Sequence, residues 1–210
     1  MNNGLRSTLL AVALAAAVAP ALQGCFPVVA TGVGTGALMA ADRRSSGAYV
    51  EDEGIEWKAA AQIKEKLGDA VHINVTSYNR NVLLTGEAPD AGIQAQLPGI
   101  VGAVPNIRGI TNDVQVAGHS SLTSRSNDAL ITSKIKARMI DDDRVQAHLI
   151  KVVTEASTVY LMGLVTQTEA NDATQVARTT SGVKKVVRVF EYIDAAEARR
   201  LDANIGTKER

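Results

Sequence analysis

The sequence predicts an α+β protein in which one α-β-β-α-β unit is written twice. Each copy is a small mixed sheet covered by two helices. Two observations carry this. Val82-Leu83-Leu84-Thr85-Gly86-Glu87-Ala88 is matched further along by Val159-Tyr160-Leu161-Met162-Gly163-Leu164-Val165. Gly102-Ala103-Val104-Pro105-Asn106-Ile107 is echoed by Ser181-Gly182-Val183-Lys184-Lys185-Val186, and Ile63-Lys64 by Ile135-Lys136. Self-similarity at a fixed period is the mark of a repeated supersecondary unit.

Each copy opens with an amphipathic helix, over 54–67 and 127–140. Ile131, Ile135 and Met139 recur at i+4 and form a core stripe. Ser126 is the expected cap of the second copy's helix, and Asp128 suits its positive first turn. Two strands follow, over 71–77 and 80–87, then 149–154 and 157–164. Tyr78-Asn79-Arg80-Asn81 and Glu155-Ala156-Ser157-Thr158 are polar links that predict hairpins. Gly86 and Gly163 lie where a special backbone angle or close packing is expected. A second helix spans 90–102 and 167–180, and Pro98-Gly99 should kink or end the first of these. A last strand covers 106–116 and 183–193. The units are thus 52–118 and 124–194, joined by a polar linker at 119–123. Units this small have thin cores, so the two should pack on each other. The tail, 195–210, looks helical from Ala195 to Leu201 and then frays.

The first 24 residues read as a secretory signal: Arg6, an apolar run from Leu9 to Leu22 broken by Pro20, then Leu22-Gln23-Gly24-Cys25. The run is shorter than the ~20 apolar residues of a membrane span. Leu-x-Gly-Cys resembles the lipobox of bacterial lipoproteins. That resemblance implies a diacylglyceryl group on the Cys25 thiol, cleavage before it, and acylation of the new amine, palmitate being the typical chain. Chains worth ~0.8 kcal/mol per buried methylene make a practically permanent anchor. In the same sorting pattern, Asp after the Cys implies inner-membrane retention. Phe26 stands there, which implies the periplasmic face of the outer membrane. Residues 25–51 then read as a Gly-rich flexible tether. Gly32, Gly34 and Gly36 belong to it, because a dinucleotide loop needs Gly-x-Gly-x-x-Gly between a strand and a helix.

The α-β-β-α-β unit, with its valine-x-leucine-x-glycine strand and its glycine-valine-x-x-valine entry to the last strand, resembles the BON domain. Two such units behind a lipobox resemble the dual-BON outer-membrane lipoproteins of envelope integrity. Ile73-Asn74-Val75-Thr76-Ser77-Tyr78, Ser126-Asn127-Asp128 and Val159 to Thr166 are the most specific segments. The resemblance implies anionic-phospholipid binding through the second unit.

Composition narrows the chemistry. Lys plus Arg and Asp plus Glu are 22 each, so a broadly basic nucleic-acid binder is excluded. One Cys excludes a disulfide framework and a Cys-rich metal site. His72, His119 and His148 lack partners at ligand spacing and read as solvated or strand-edge residues, so no metal is expected. Ser120 and Ser121 beside His119 have no acid to orient an imidazole and no nucleophile elbow. Asp141-Asp142-Asp143 lacks the Gly and Glu of a calcium loop and reads as a solvated connector. No enzyme activity and no cofactor are expected.

Surface charge is the remaining signal. Residues 52–118 carry 5 basic and 8 acidic side chains, and residues 124–194 carry 10 and 9. In the second unit's first helix, Leu130, Lys134 and Arg138 lie within about 80° of one another and flank the core stripe. One apolar tip above two cations suits an anionic membrane interface. Leu130 stands where the family pattern carries a large aromatic, and leucine lacks the indole's interfacial preference. The expected function is phospholipid binding at Leu130, Lys134 and Arg138. The alternative is a protein–protein adaptor for an outer-membrane assembly or stress-response machine, acting through sheet faces or Trp57. Trp57, off the Ile63/Leu67 stripe, reads as an interdomain or partly buried core residue.

Overall fold

The computed structural model describes residues 42–208. The signal, Cys25 and Gly32, Gly34 and Gly36 lie outside the described residues. The first copy runs α1 (Ser46–Leu67), β1 (His72–Tyr78), β2 (Asn81–Ala88), α2 (Ala91–Val101), β3 (Gly109–Asn112) and β4 (Gln115–Val116). The second runs α3 (Leu122–Ile140), a 3₁₀ turn (Ala147–Leu149), β5 (Lys151–Glu155), β6 (Thr158–Val165), α4 (Gln167–Arg178) and β7 (Lys185–Tyr192), followed by α5 (Ala195–Lys208).

The two sheets share one topology. β1 pairs antiparallel with β2, and β5 with β6. β3 and β4 then lie parallel to β2, and β7 parallel to β6. The first copy's last strand is thus broken at Asp113-Val114, where one strand over 106–116 was expected.

Alternation along the central strands explains the packing. Val82, Leu84 and Ala88 of β2 join Ile55, Ala59, Ile63, Leu97 and Val101 in one helix-facing core. Val159, Leu161 and Val165 of β6 join Ile131, Ile135, Met139, Ala173 and Val176 in the other. The opposite faces meet each other: Tyr78 and Leu83 pack with Tyr160, Met162 and Leu164. β2 and β6 are therefore buried on both faces, and each copy completes the other's core. The sheet faces proposed as an adaptor surface are consumed in this seam.

Several boundaries differ from the sequence reading. Both opening helices begin earlier, because Ser45 and Ser121 cap them by accepting from Ala48 and Ser124 amides. Ser126 lies inside α3. The tether expected to run to residue 51 ends sooner: Asp42, Arg43 and Arg44 are buried. Pro98 does not end α2. A proline there frees the carbonyl four residues earlier, and the Asn112 side chain donates to that Gln94 oxygen at 3.0 Å. The tail is helical to Lys208 and does not fray at Leu201.

Candidate functional site

The outward face of α3 gathers what the sequence singled out. Its inward stripe is Ile131, Ile135 and Met139, with Asp128 beside it. Opposite that stripe stand three large apolar side chains in the open: Leu122 is 80% exposed, Leu130 53% and Ile140 72%. At 100° per residue they fall within about 80° of one another. Lys134 flanks this line on one side and Lys136 on the other, each about 40° beyond it. Both lysines are exposed, and among the described residues neither has an ion-pair partner. Below Ile140, an open cleft of about 640 Å³ is lined by Lys136, Met139, Val145, His148 and Ile150. Within α3 no acid shares this face, since Asp128 is buried and Asp141 is the C-cap, whereas Asp142 and Asp143 line the cleft below it.

Arg138 is placed differently from the expected trio. Its guanidinium donates to the Val176 carbonyl at 3.1 Å, to Thr180 Oγ1 at 2.7 Å and to Thr179 Oγ1 at 3.0 Å. A cation bonded to the end of α4 satisfies carbonyls left over there and meets the negative end of the helix. Leu130 and Lys134 thus share a free surface, whereas Arg138 is committed to a neighbouring helix. Lys136 takes its place as the second free cation.

The histidines separate. His148 is exposed in the 3₁₀ turn. His72 opens β1, where the sheet register sets it opposite Glu87, and its Nδ1 lies 2.8 Å from Glu87 Oε2. Glu155, at the end of β5 in the other copy, accepts from Asn74 Nδ2 at 2.7 Å. Burial raises the Glu155 carboxyl above its ordinary range. The Asn74 bond opposes that rise, and the nearby Glu87 charge adds to it. The His119 ring sits 6.3 Å from that of His72. The strand-edge reading of His72 missed this cluster, whose members meet only through strand register and interdomain packing.

Ser121 is used as a cap, and Ser120 Oγ accepts from Arg125 at 3.1 Å. Asp142 pairs with Arg144 at 2.8 Å, and that bond holds its carboxyl down at about 2. Trp57 is not an interdomain or core residue, being 74% exposed on α1. Among the described residues no helix is long and apolar enough to cross a membrane.

Comparison with known proteins places this geometry. The BON domain model matches residues 57–118 and again residues 127–194. The chain is 34% identical to the outer membrane lipoprotein DolP of Haemophilus influenzae, over 82% of its own length and 91% of that protein's. It is 32% identical to a 21 kDa hemolysin of Actinobacillus pleuropneumoniae, covering 72% of this chain and 79% of that one. It is 28% identical to the osmotically-inducible protein Y of Escherichia coli, covering 87% and 93%.

Proposed function

The chain belongs to the BON-domain family, carrying the domain twice, and from that premise we propose that it is a lipid-anchored protein of the outer membrane's periplasmic face. There it binds anionic phospholipid through its second BON domain and supports envelope integrity. The relationship to an outer membrane lipoprotein, over 82% of this chain and 91% of that protein, supports the location. Leu22-Gln23-Gly24-Cys25 supports the anchor, with Cys25 as its acylated residue.

One observation carries the lipid reading: the line of Leu122, Leu130 and Ile140, exposed along α3 and flanked by unpaired Lys134 and Lys136. A helix so patterned lies in the membrane plane, its apolar side chains entering the headgroup layer and its lysines meeting phosphates. Tethered by Cys25, the domain needs only weak affinity, because the anchor keeps it at high local concentration near the surface.

The test is vesicle flotation with protein that begins at residue 26 and lacks acyl chains. Flotation with phosphatidylglycerol-containing vesicles and none with neutral phosphatidylcholine supports the reading. Equal behaviour with both vesicle types defeats it. A second reading, a protein–protein adaptor, is favoured by Trp57, whose exposed indole on α1 is the kind of anchor that interfaces use.

A further inference from the structure

We propose that His72, Glu87 and Glu155, in the seam between the two sheets, form a binding site for one divalent transition-metal ion, with His119 of the linker as a fourth ligand. The ligand atoms of the first three lie within 4.8 Å of one another. A metal that bonds nitrogen and oxygen at about 2.0–2.2 Å sets its ligand atoms roughly 3.4 Å apart, so sub-ångström adjustments suffice.

Three independent observations converge there. First, Glu87 and Glu155 are each only 7% exposed, and no Lys or Arg among the described residues pairs with either. Two buried carboxylates side by side are costly unless a cation or a proton compensates them, and a bound metal ion supplies the charge for both. What they have is one bond from Asn74 and one contact with His72. Second, Thr85 Oγ1 is buried and has no hydrogen-bond partner. Thr85 points to the same face of β2 as Glu87 and is paired in register with Asn74. The seam thus holds a buried hydroxyl whose hydrogen-bonding capacity is unused beside the two carboxylates. Third, His119 is exposed, with its ring tilted 41° to that of His72. A linker imidazole at the rim is free to swing in and gives the ion a route from solvent.

The donor set selects the ion. Imidazole with two carboxylates suits zinc, manganese or iron better than the all-oxygen shell preferred by magnesium. Two ionised carboxylates neutralise its charge. The ligands come from the first BON domain, the second and the linker between them. The ion therefore fastens the two domains together, and its binding energy adds to the stability of the docked state.

The test uses the tag-free full-length protein in detergent, stripped with chelator and titrated with zinc, manganese and magnesium ions. One zinc or manganese ion per chain is expected, with a thermal midpoint that rises with metal concentration and little response to magnesium. Glu155→Gln and Glu87→Gln should abolish the metal-dependent rise while leaving the metal-free midpoint equal or higher, since each removes a buried charge. His119→Ala, on an exposed linker, should keep the fold and weaken binding about tenfold or more. His148→Ala should leave binding unchanged. If no ion shifts the midpoint, the proposal fails. It fails equally if Glu155→Gln lowers the metal-free midpoint and binds zinc as tightly as the parent, because the cluster is then only a hydrogen-bond network.

Discussion

Asp52 and Asp128 hold the two hairpin turns in the same way, one repeat apart. The Asp52 carboxylate accepts from the Asn79 amide at 2.8 Å and the Arg80 amide at 2.7 Å. The Asp128 carboxylate accepts from the Ala156 amide at 2.9 Å and the Ser157 amide at 2.8 Å. All four turn residues have positive φ, the signature of a type I′ hairpin turn. None is glycine, so each sits in a left-handed conformation that disfavours a side chain by ~1–2 kcal/mol. An aspartate reaching out of the first helix locks what the turn residues do not prefer. Removing it leaves two strained amides without their acceptor. Asp128→Ala should therefore lower stability by about 2–3 kcal/mol in thermal or urea unfolding. Asp52→Ala should cost more, because Asp52 also takes the Ser77 hydroxyl at 2.6 Å and the Arg44 guanidinium at 2.8 Å. An unfolding midpoint unmoved by Asp128→Ala would show that the turns hold themselves.

The repeat and both hairpins were legible because strand alternation and polar turn residues are local signals. The role of Asp128 was not: from sequence it reads as an acid in a positive first turn, and the turn it serves lies in another element. The early start of α1 was equally hidden. Ser46 to Gly54 contains two glycines and no apolar stripe, and the segment is held by tertiary contacts, Arg44 over the Tyr78 ring and Asp52 on Ser77, Asn79 and Arg80. On α3 the apolar and basic edge was legible from the 3.6-residue period. The diversion of Arg138 was not, since its acceptors belong to α4. His72 beside Glu87 follows from strand register alone, whereas Glu155 arrives from the other domain.

Gly86 and Gly163 are a second repeated device with unequal strain. A Cβ on Gly86 would meet the His72 carbonyl oxygen at 2.0 Å, and its φ is +109°. A Cβ on Gly163 would meet the Leu149 carbonyl oxygen at 2.6 Å. In both the obstacle is backbone, which cannot rotate aside. Gly163→Ala should destabilise by about 2 kcal/mol, and Gly86→Ala by more, because backbone strain adds to the clash. Equal unfolding midpoints for the two variants would contradict the added strain at Gly86.

Arg43 fastens the start of the described chain to the second domain. Its guanidinium donates to the Leu164 carbonyl at 2.9 Å, to both Glu169 oxygens at 2.8 and 2.9 Å, and to both Asp202 oxygens at 2.7 and 2.9 Å. All five donors are used. Arg43→Ala should cost about 2–3 kcal/mol, below the usual range for a buried pair because both carboxylates keep some water. Burial alone would raise the Glu169 carboxyl, but the Arg43 bonds outweigh it and hold the group below its ordinary value. A depressed carboxyl stabilises the fold above its unfolded pKa of about 4.3, and that contribution fades as pH falls through the lower folded value. The parent should lose stability over that acid window, and Arg43→Ala should lose less across it. Parallel stability–pH curves for the two would show that Glu169 is not held by Arg43.

The edge of α3 proposed to meet lipid makes the last prediction, and the structure sharpens which residues to change. Lys134 and Lys136 are free, and each cation near an anionic surface contributes about 1 kcal/mol. Reversing both should remove at least that from each, so Lys134→Glu with Lys136→Glu should weaken binding to anionic vesicles about thirtyfold or more. Added salt should mimic the effect on the parent, since these charges are exposed. Leu130→Asp should also weaken binding, because burying a leucine contributes up to about 1.5–3 kcal/mol and only part of that is gained at an interface. The carboxylate it introduces also cancels part of the local positive charge, so its binding should be less salt-sensitive than the parent's. Neither change touches Ile131, Ile135 or Met139, so thermal unfolding should shift little. Arg138→Gln should do the reverse: it removes bonds to Val176, Thr179 and Thr180, so it should lower the unfolding midpoint while vesicle binding at low temperature changes little. Full vesicle binding by the folded double reversal would take the lipid contact away from α3. Attention would then pass to Trp57, where Trp57→Ala would be expected to release a protein partner instead.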